Sequence, residues 1–405
     1  MSPRRFPVQP RSRRPGRAVG PLLAIIALLT AAAGLSAPRA GATATADAGW
    51  SAEEQQFVYL LNQARWNPES VTAAAGLAPG TFLPQPPLAI NASLAASAQS
   101  RSNDMAANNY FAHQSPISGA WPNSVARTNG YELPSWWPDD ANTIESLHMG
   151  SPDPARVLQS FVESPRHRNH VMGQGWFGVH REIGVGFVSA ERIWSIHTAS
   201  REGTDLFLTG VAYRDSNGSG AMDLGEGLGG VPITVDGRAT TTTPGGGWAM
   251  AVVAGVHEVQ ASGGGLAGST AVTVRVGAFN VEVDFVMGIG RSAAPRALVR
   301  AYALCQGRPP TILGTSEDDE ITGTPGPDVI HGLGGDDVIY GLGGGDVICG
   351  GTGDDLLSGD GGNDLLIGGA GKDHLVGGDG DDVMRGQAGL DTVAGGPGHN
   401  VSVLR

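Results

Sequence analysis

The sequence predicts a multidomain chain: a mixed helix-and-strand head, then a β-sandwich, then a parallel β-roll. Three observations predict it. Nine aspartates recur nine residues apart, at Asp319, Asp328, Asp337, Asp346, Asp355, Asp364, Asp373, Asp382 and Asp391, with Asn400 continuing the count. Neither a helix nor an ordinary strand has that period; a chain wound into coils does. Residues 50–200 pass from helix-spaced apolar positions to alternating ones, and residues 205–288 alternate between Gly-rich turns with no helical run.

The N-terminus carries Arg4, Arg5, Arg11, Arg13, Arg14 and Arg17, then an apolar run from Leu22 to Leu35 and small residues with Ala-x-Ala steps. This pattern predicts a cleaved signal peptide over 1–45. The apolar run is short for a membrane span. The residues after the paired arginines fit a twin-arginine signal poorly. No transmembrane segment is expected after cleavage.

The head is expected over 50–200. Ser51 and Glu54 form a capping-box pair ahead of Phe57, Leu60, Leu61 and Ala64, which share one helix face. A second helix is expected from Asn91 through Leu94, Ala98 and Met105, and EIGVGFV (182–188) and RIWSIHT (192–198) read as strands. LLNQAR at 60–65, HQSP at 113–116, the Glu of IES at 145, SPRHR at 164–168 and IGVG at 183–186 follow one another in an order and spacing that resembles the CAP family, also called SCP/PR-1-like. The resemblance implies an α-β-α sandwich with two His and two Glu lining a cleft.

That resemblance carries over His113, Glu145 and His167 as the candidate catalytic residues. The second Glu has no clear match; Glu163 is the nearest stand-in. Ser146 stands where the family has Asn. Two imidazoles and a carboxylate could hold Zn²⁺ or another divalent metal, perform acid–base work, or simply satisfy one another. His148, His170 and His197 read as surface or strand residues. Gly-x-Ser-x-Gly and His-Glu-x-x-His are both absent, so no standard serine nucleophile or zincin helix is indicated. The aromatics of this region read as core, except that Trp136-Trp137 sits in a Pro-bounded loop where exposure would suggest ligand contact.

Residues 205–288 predict a small β-sandwich. Within it, Asp215, Asn217, Ser219, Asp223 and Glu226 fall at places one, three, five, nine and twelve of a segment with Gly220 at place six. This is the oxygen-ligand layout of an EF-hand loop. The segment resembles the calcium loop of SdrD-type B domains and related Cna-B-like modules, which implies Ca²⁺ bound there. Residues 289–310 read as a linker.

Residues 311–405 are expected to form the roll. Ten nine-residue units fill 314–403, each beginning with Gly; nine have Gly at the fourth place. The eighth place reads Ile321, Ile330, Ile339, Ile348, Leu357, Leu366, Leu375, Met384, Val393 and Ser402. Two units make one coil, so the aliphatic column fills a thin core and the aspartates line the corners. Asp supplies the hard charged oxygen that Ca²⁺ prefers. The pattern resembles the RTX nonapeptide family, calcium-binding β-rolls, with Asn400 and Ser402 as capping departures.

This array carries 15 Asp and 2 Glu against Lys372 and Arg385, a net −15, while the whole chain is −13. Without cations such a stack repels itself, so calcium-binding energy should be folding energy. Cys305 and Cys349 are the two cysteines; in an exported chain an even pair suggests a disulfide. The expectation is a secreted, extracellular or cell-surface calcium-binding protein with a head of binding or adhesion role. Its partners are Ca²⁺ and an extracellular protein, lipid or glycan; nucleic acid is not expected. The alternative is a secreted metal-dependent hydrolase using His113, Glu145 and His167.

Overall fold

The computed structural model describes residues 50–78, 81–203, 206–288, 294–301, 304–306, 308, 310–315 and 317–404. The expected signal peptide lies outside the described residues. Among them, no helix is long and apolar enough to cross a membrane.

The head runs through α1 (Ala52–Trp66), α2 (Glu69–Thr72), β1 (Ala89–Ile90), α3 (Ala92–Asn108), α4 (Pro122–Thr128), β2 (Glu145–Met149), α5 (Pro154–Glu163), α6 (Arg168–Val171), β3 (Glu182–Val188) and β4 (Ile193–Ala199). The capping box of α1 forms: Ser51 accepts from Glu54 N–H while Glu54 accepts from Ser51 N–H. Asn91 caps α3 through Leu94 N–H. The four strands order β1-β3-β4-β2. On one face Phe57, Leu61, Val157 and Phe161 of α1 and α5 pack on Ile183, Val185, Trp194 and Ile196. The other face carries α3, and the IGVG motif explains how close it lies. A methyl group on Gly184 would sit 2.0 Å from the Leu94 carbonyl carbon, and one on Gly186 2.3 Å from that of Ala98.

The sandwich contains β5 (Leu206–Arg214), β6 (Pro232–Val235), β7 (Arg238–Thr241), β8 (Gly247–Val252), β9 (Gly255–Ser262), β10 (Ser269–Val276), β11 (Val281–Met287) and β12 (Arg296–Ala301). Two four-stranded sheets, β10-β9-β6-β7 and β12-β11-β5-β8, enclose Ile233, Trp248, Val259, Val274, Val283 and Phe285. Residues 296–301, read from sequence as linker, pair antiparallel with β11 as an edge strand.

Head and sandwich share buried surface. Tyr59 of α1 packs among Val211, Tyr213, Met222 and Val286. Phe207 and Ala249 of the sandwich join the head core. Asn280 donates to the carbonyls of Pro87 and Arg181. Glu282 is buried at this seam and accepts from Gln63; burial, then the adjacent Asp284, pushes its carboxyl up to about 8 despite Arg300 nearby.

The roll is two parallel sheets facing each other. One has six strands, Ile312–Leu313, Val329–Gly334, Val347–Thr352, Leu365–Ala370, Val383–Ala388 and Val401–Val403; the other has five, Glu320–Thr322, Val338–Tyr340, Leu356–Gly361, His374–Asp379 and Thr392–Ala394. Each residue pairs with the one 18 positions on, as Ile330 with Ile348 and Ile339 with Leu357. The eighth-place residues Ile321 to Met384 form one buried column. A disulfide joins Cys305 to Cys349, with Cα atoms 5.8 Å apart. It lies outside that column, with Val347 and Ile367, and ties the lead-in segment to the roll's outer face.

The shared seam predicts one unfolding event for head and sandwich. All eight tryptophans lie between Trp50 and Trp248, so their fluorescence reports these two parts alone. Phe207→Ala should lower stability by about 3–5 kcal/mol, the usual cost of truncating a buried aromatic, and shift a single transition. Two separate transitions, with only that of the sandwich affected, would contradict the shared core.

Candidate functional site

The aspartate ladder is built by the coil. From Asp337 onward each ladder Asp turns its Oδ1 toward the preceding coil and accepts the N–H of the aspartate 18 residues earlier: Asp319 N–H to Asp337 (2.9 Å), Asp337 to Asp355 (2.9 Å), Asp355 to Asp373 (3.0 Å) and Asp373 to Asp391 (3.1 Å). The other corner repeats this from Asp328 through Asp346 and Asp364 to Asp382. Asn400 ends that stack: its Oδ1 accepts Asp382 N–H while its Nδ2 donates to Gly396 O. An amide thus keeps the ladder bond and satisfies its second atom itself.

The second carboxylate oxygen separates the aspartates into two groups. Oδ2 of Asp319 accepts from Thr315 and that of Asp328 from Thr324. In Asp337, Asp346, Asp355, Asp364, Asp373, Asp382 and Asp391, Oδ2 is buried with no hydrogen-bond donor. Burial and the neighbouring aspartates raise the Asp337 carboxyl to about 7 and those of Asp346, Asp355 and Asp364 to about 6, although a backbone N–H opposes this in each. Each orphan oxygen looks into a space that only glycine leaves open. A methyl on Gly332 would lie 2.1 Å from Asp337 Oδ2 and 2.7 Å from Gly350 O; one on Gly359 would lie 2.3 Å from Asp364 Oδ2 and 2.6 Å from Gly377 O. Buried carboxylate and carbonyl oxygens converging without a donor are the donor set that a hard cation such as Ca²⁺ requires.

In the 215–226 loop the five sequence-selected residues take part in one hydrogen-bonded turn, in which only Asn217, Ser219 and Asp223 meet side chain to side chain. Asp215 accepts from the N–H groups of Gly218, Ser219 and Gly220. Glu226 accepts from Ser216 and Asp223 N–H, while Asn217 and Ser219 donate to Asp223. Unlike the ladder, this loop satisfies its carboxylates internally.

In the head, His113, Asn142, Glu145, Ser146, Arg166, His167 and His170 line a cleft of about 520 Å³. Glu145 opens β2 and is the hub. Its Oε1 accepts from Arg101 Nε (3.1 Å) and faces His197 Nε2 (3.1 Å); its Oε2 meets His113 Nδ1 (2.9 Å). Burial alone would raise this carboxyl. The bonds from His113 and His197 and the charge of Arg101 instead bring it from the ordinary 4.5 down to about 2. Arg101 is further fixed by Tyr110 and by the carbonyls of Ala112 and His113. His167 reaches the same cleft but bonds Ser164; burial, then the charges of His113 and Arg166, lowers its pKa.

Three expectations are corrected. Glu163 is exposed at the end of α5, accepts from Gln159 and does not line the cleft. Zn²⁺ in the cleft finds no support: both Glu145 oxygens are committed, and among the described residues no three His, Cys, Asp or Glu side chains converge as metal ligands. His170 is neither surface nor strand but a buried residue of α6 that lines the cleft, whereas His197 lies on strand β4 as expected and reaches Glu145 from there. His170 bridges Ser146 and Thr198 at 2.7 Å each, and Thr198 continues to His180 at 2.6 Å. Burial, then the charge of His197, lowers His170 to about 3. Arg101 and His197 had no signal in a motif; their places on α3 and β4 against Glu145 come from the packing.

Residues 58–197 match the cysteine-rich secretory protein family, CAP. Residues 313–348, 341–375 and 367–401 match the RTX calcium-binding nonapeptide repeat. Over 160 residues the chain is 28% identical to the uncharacterized protein YkwD of Bacillus subtilis (strain 168), covering 40% of this chain and 52% of that protein. The chain therefore spans about half the length of this curated relative. Two solved structures are similar. An extracellular protein containing a SCP domain from Bacillus anthracis str. Ames is 21% identical, with a TM-score of 0.28 over 37% of this chain and 40% of that one. An outer surface protein from Borrelia burgdorferi is 15% identical, with a TM-score of 0.25 over 36% and 95%. Residues 58–197 are thus a CAP domain, and residues 313–401 are RTX calcium-binding repeats wound into a parallel β-roll of the same multidomain chain.

Proposed function

We propose that this is a secreted calcium-binding protein, extracellular or cell-surface, whose roll folds on Ca²⁺ and whose CAP domain is a head of binding or adhesion role. The observation that carries the calcium reading is the row of seven buried, donorless Asp Oδ2 atoms from Asp337 to Asp391. These residues would hold the ions together with the carbonyls of first-place glycines. Bound Ca²⁺ supplies the positive charge and oxygen contacts that the aspartates lack. Asp319 and Asp328 contribute less, because Thr315 and Thr324 already satisfy them. Asp215, Asn217, Ser219, Asp223 and Glu226 form a separate candidate site at the sandwich end nearest α1. The basic, apolar leader favours export, and the disulfide suits an oxidising compartment.

Binding suits the head better than hydrolysis. A hydrolase built on His113, Glu145 and His167 would need a carboxylate free to work, and Glu145 is spent on orienting Arg101, His113 and His197. What faces the cleft is two imidazoles held through Nδ1, His113 and His167, beside the exposed cation of Arg166, which suits a polar or anionic ligand.

Calcium stoichiometry measured by equilibrium dialysis tests the first part. Asp364→Ala should lower the number of ions bound, Asp319→Ala should change it little, and Asp215→Ala should remove one ion without affecting the roll. Equal losses at Asp319 and Asp364 would contradict the division of the ladder.

The Glu145 web predicts a pH effect followed by tryptophan fluorescence in urea. At pH 7, Arg101→Met should cost about 3–5 kcal/mol, because it leaves a buried carboxylate without its counter-charge. The wild type gains from Glu145 above its ordinary 4.5 and loses this as pH falls toward 2. Buried neutral His170 works the same way, its contribution lost as pH falls from 6.5 toward 3. The variant can protonate Glu145 instead, so the gap should narrow between pH 7 and pH 3. A gap independent of pH would sink the ion-pair account.

A further inference from the structure

A second cavity, of about 390 Å³, lies where the head meets the sandwich, lined from the head by Trp136, Trp137, Trp176 and Arg181 and from the other side by Leu206, Phe207 and Ala278. Its chemistry is unlike that of the cleft. Trp136 is 68% exposed and Trp176 45%, while Trp137 is 3% exposed. Trp137 is the backing. Its ring lies 5.7 Å from Trp136, nearly perpendicular at 81°, and 5.0 Å from Trp176 at 43°. His180 packs under both Trp137 and Trp176 at 5.5 and 5.3 Å. The two exposed indoles therefore stand on a packed base. Holding large apolar rings in water at fixed angles is unfavourable unless something covers them.

The rim decides what can cover them. Arg181 and Arg201 stand with Glu182 and Glu202 around the same cavity. Arg201 pairs with Glu182 at 3.2 Å, Arg181 donates to Gly178 O, and Glu202 accepts from Ser135 N–H. Two positive and two negative groups give no net pull on an anion or a cation. Glu182 is buried and spent on Asn91, Tyr131 and Arg201, so Arg181, Arg201 and Glu202 are left to offer donors and an acceptor at the rim. A purely aliphatic occupant would leave these groups stranded at the edge of a dry contact, and burying them without partners is costly. The matching ligand has apolar flat faces for the indoles and neutral hydroxyls around its edge. The volume falls within the usual ~300–1,000 Å³ of small-ligand sites, which favour domain junctions.

We propose that this junction cavity binds a neutral saccharide, with one sugar face stacked on Trp136 or Trp176 and its hydroxyls bonded by Arg181, Arg201 and Glu202. The site is separate from the His113 cleft and does not depend on the reading of that cleft. Gly175–Val179 divides the two, giving Trp176 to one cavity and Phe177 to the other.

The test uses the calcium-loaded full chain and three soluble probes, cellotetraose, maltotetraose and tri-N-acetylchitotriose, read by calorimetry. At least one should bind. Trp136→Ala and Trp176→Ala should each weaken it tenfold or more, and Trp176→Phe should retain part of the affinity. Phe111→Ala, at an exposed position of the cleft lining, should bind as the wild type does, which separates this site from the cleft. Both tryptophans are exposed, so unchanged thermal melts of the variants will exclude unfolding. No binding to any of the three, or binding unaffected by either tryptophan variant, would overturn the proposal. So would phosphatidylcholine vesicles, carried as a fourth probe, binding through the same tryptophans while no sugar does.

Discussion

Everything in the C-terminal quarter turns on one electrostatic constraint: a carboxylate placed every nine residues, with one oxygen bonded and the other buried without a donor. The bonded oxygen sets the register, because from Asp337 onward each Oδ1 takes the N–H of the aspartate one coil back. The orphan oxygen sets the chemistry. Buried like charges raise one another's pKa and repel, and the column from Ile321 to Met384 is one side chain wide. So small a core cannot offset a net −15. A divalent cation at each corner relieves repulsion and orphaned acceptors together, so ion binding and folding become one process. The ends fit the same logic: Thr315 and Thr324 satisfy the second oxygens of Asp319 and Asp328, and Asn400 closes the last coil.

The head meets a comparable difficulty with its own side chains. Glu145 is a fully buried carboxylate, and the chain answers it with Arg101, His113 and His197. This web fixes the cleft's imidazoles, so the groups that make the cleft distinctive are also structural. The sandwich in turn completes the head by contributing Phe207, Ala249 and Asn280 to its seam. Head and sandwich thus form one folding unit, with the roll joined on through β12 and the disulfide segment.

Much of this was legible in the sequence, for local reasons. The nine-residue period, the aliphatic eighth place and the first-place glycines each report a constraint that repeats along the chain. The capping box at Ser51 and the IGVG strand are equally local. What the sequence hid were contacts between distant elements. Arg101 and His197 reach Glu145 from α3 and β4, which no spacing reveals. Residues 296–301 looked like linker because a six-residue edge strand has little alternation of its own. The threonine capping of Asp319 and Asp328 was missed because the period counts aspartates, not what their second oxygen touches. Glu163 was chosen by nearness in sequence, and the turn of α5 points it outward.

Hydrogen exchange of the full chain, with saturating calcium and then with chelator, tests the central claim most directly. The account predicts that amides of Asp328, Asp337, Asp346, Asp355 and Asp364 lose protection on chelation, while those of α1, α3 and β11 keep theirs. Protection of the roll unchanged by chelation would contradict it, because the ladder would then hold its buried charge without an ion.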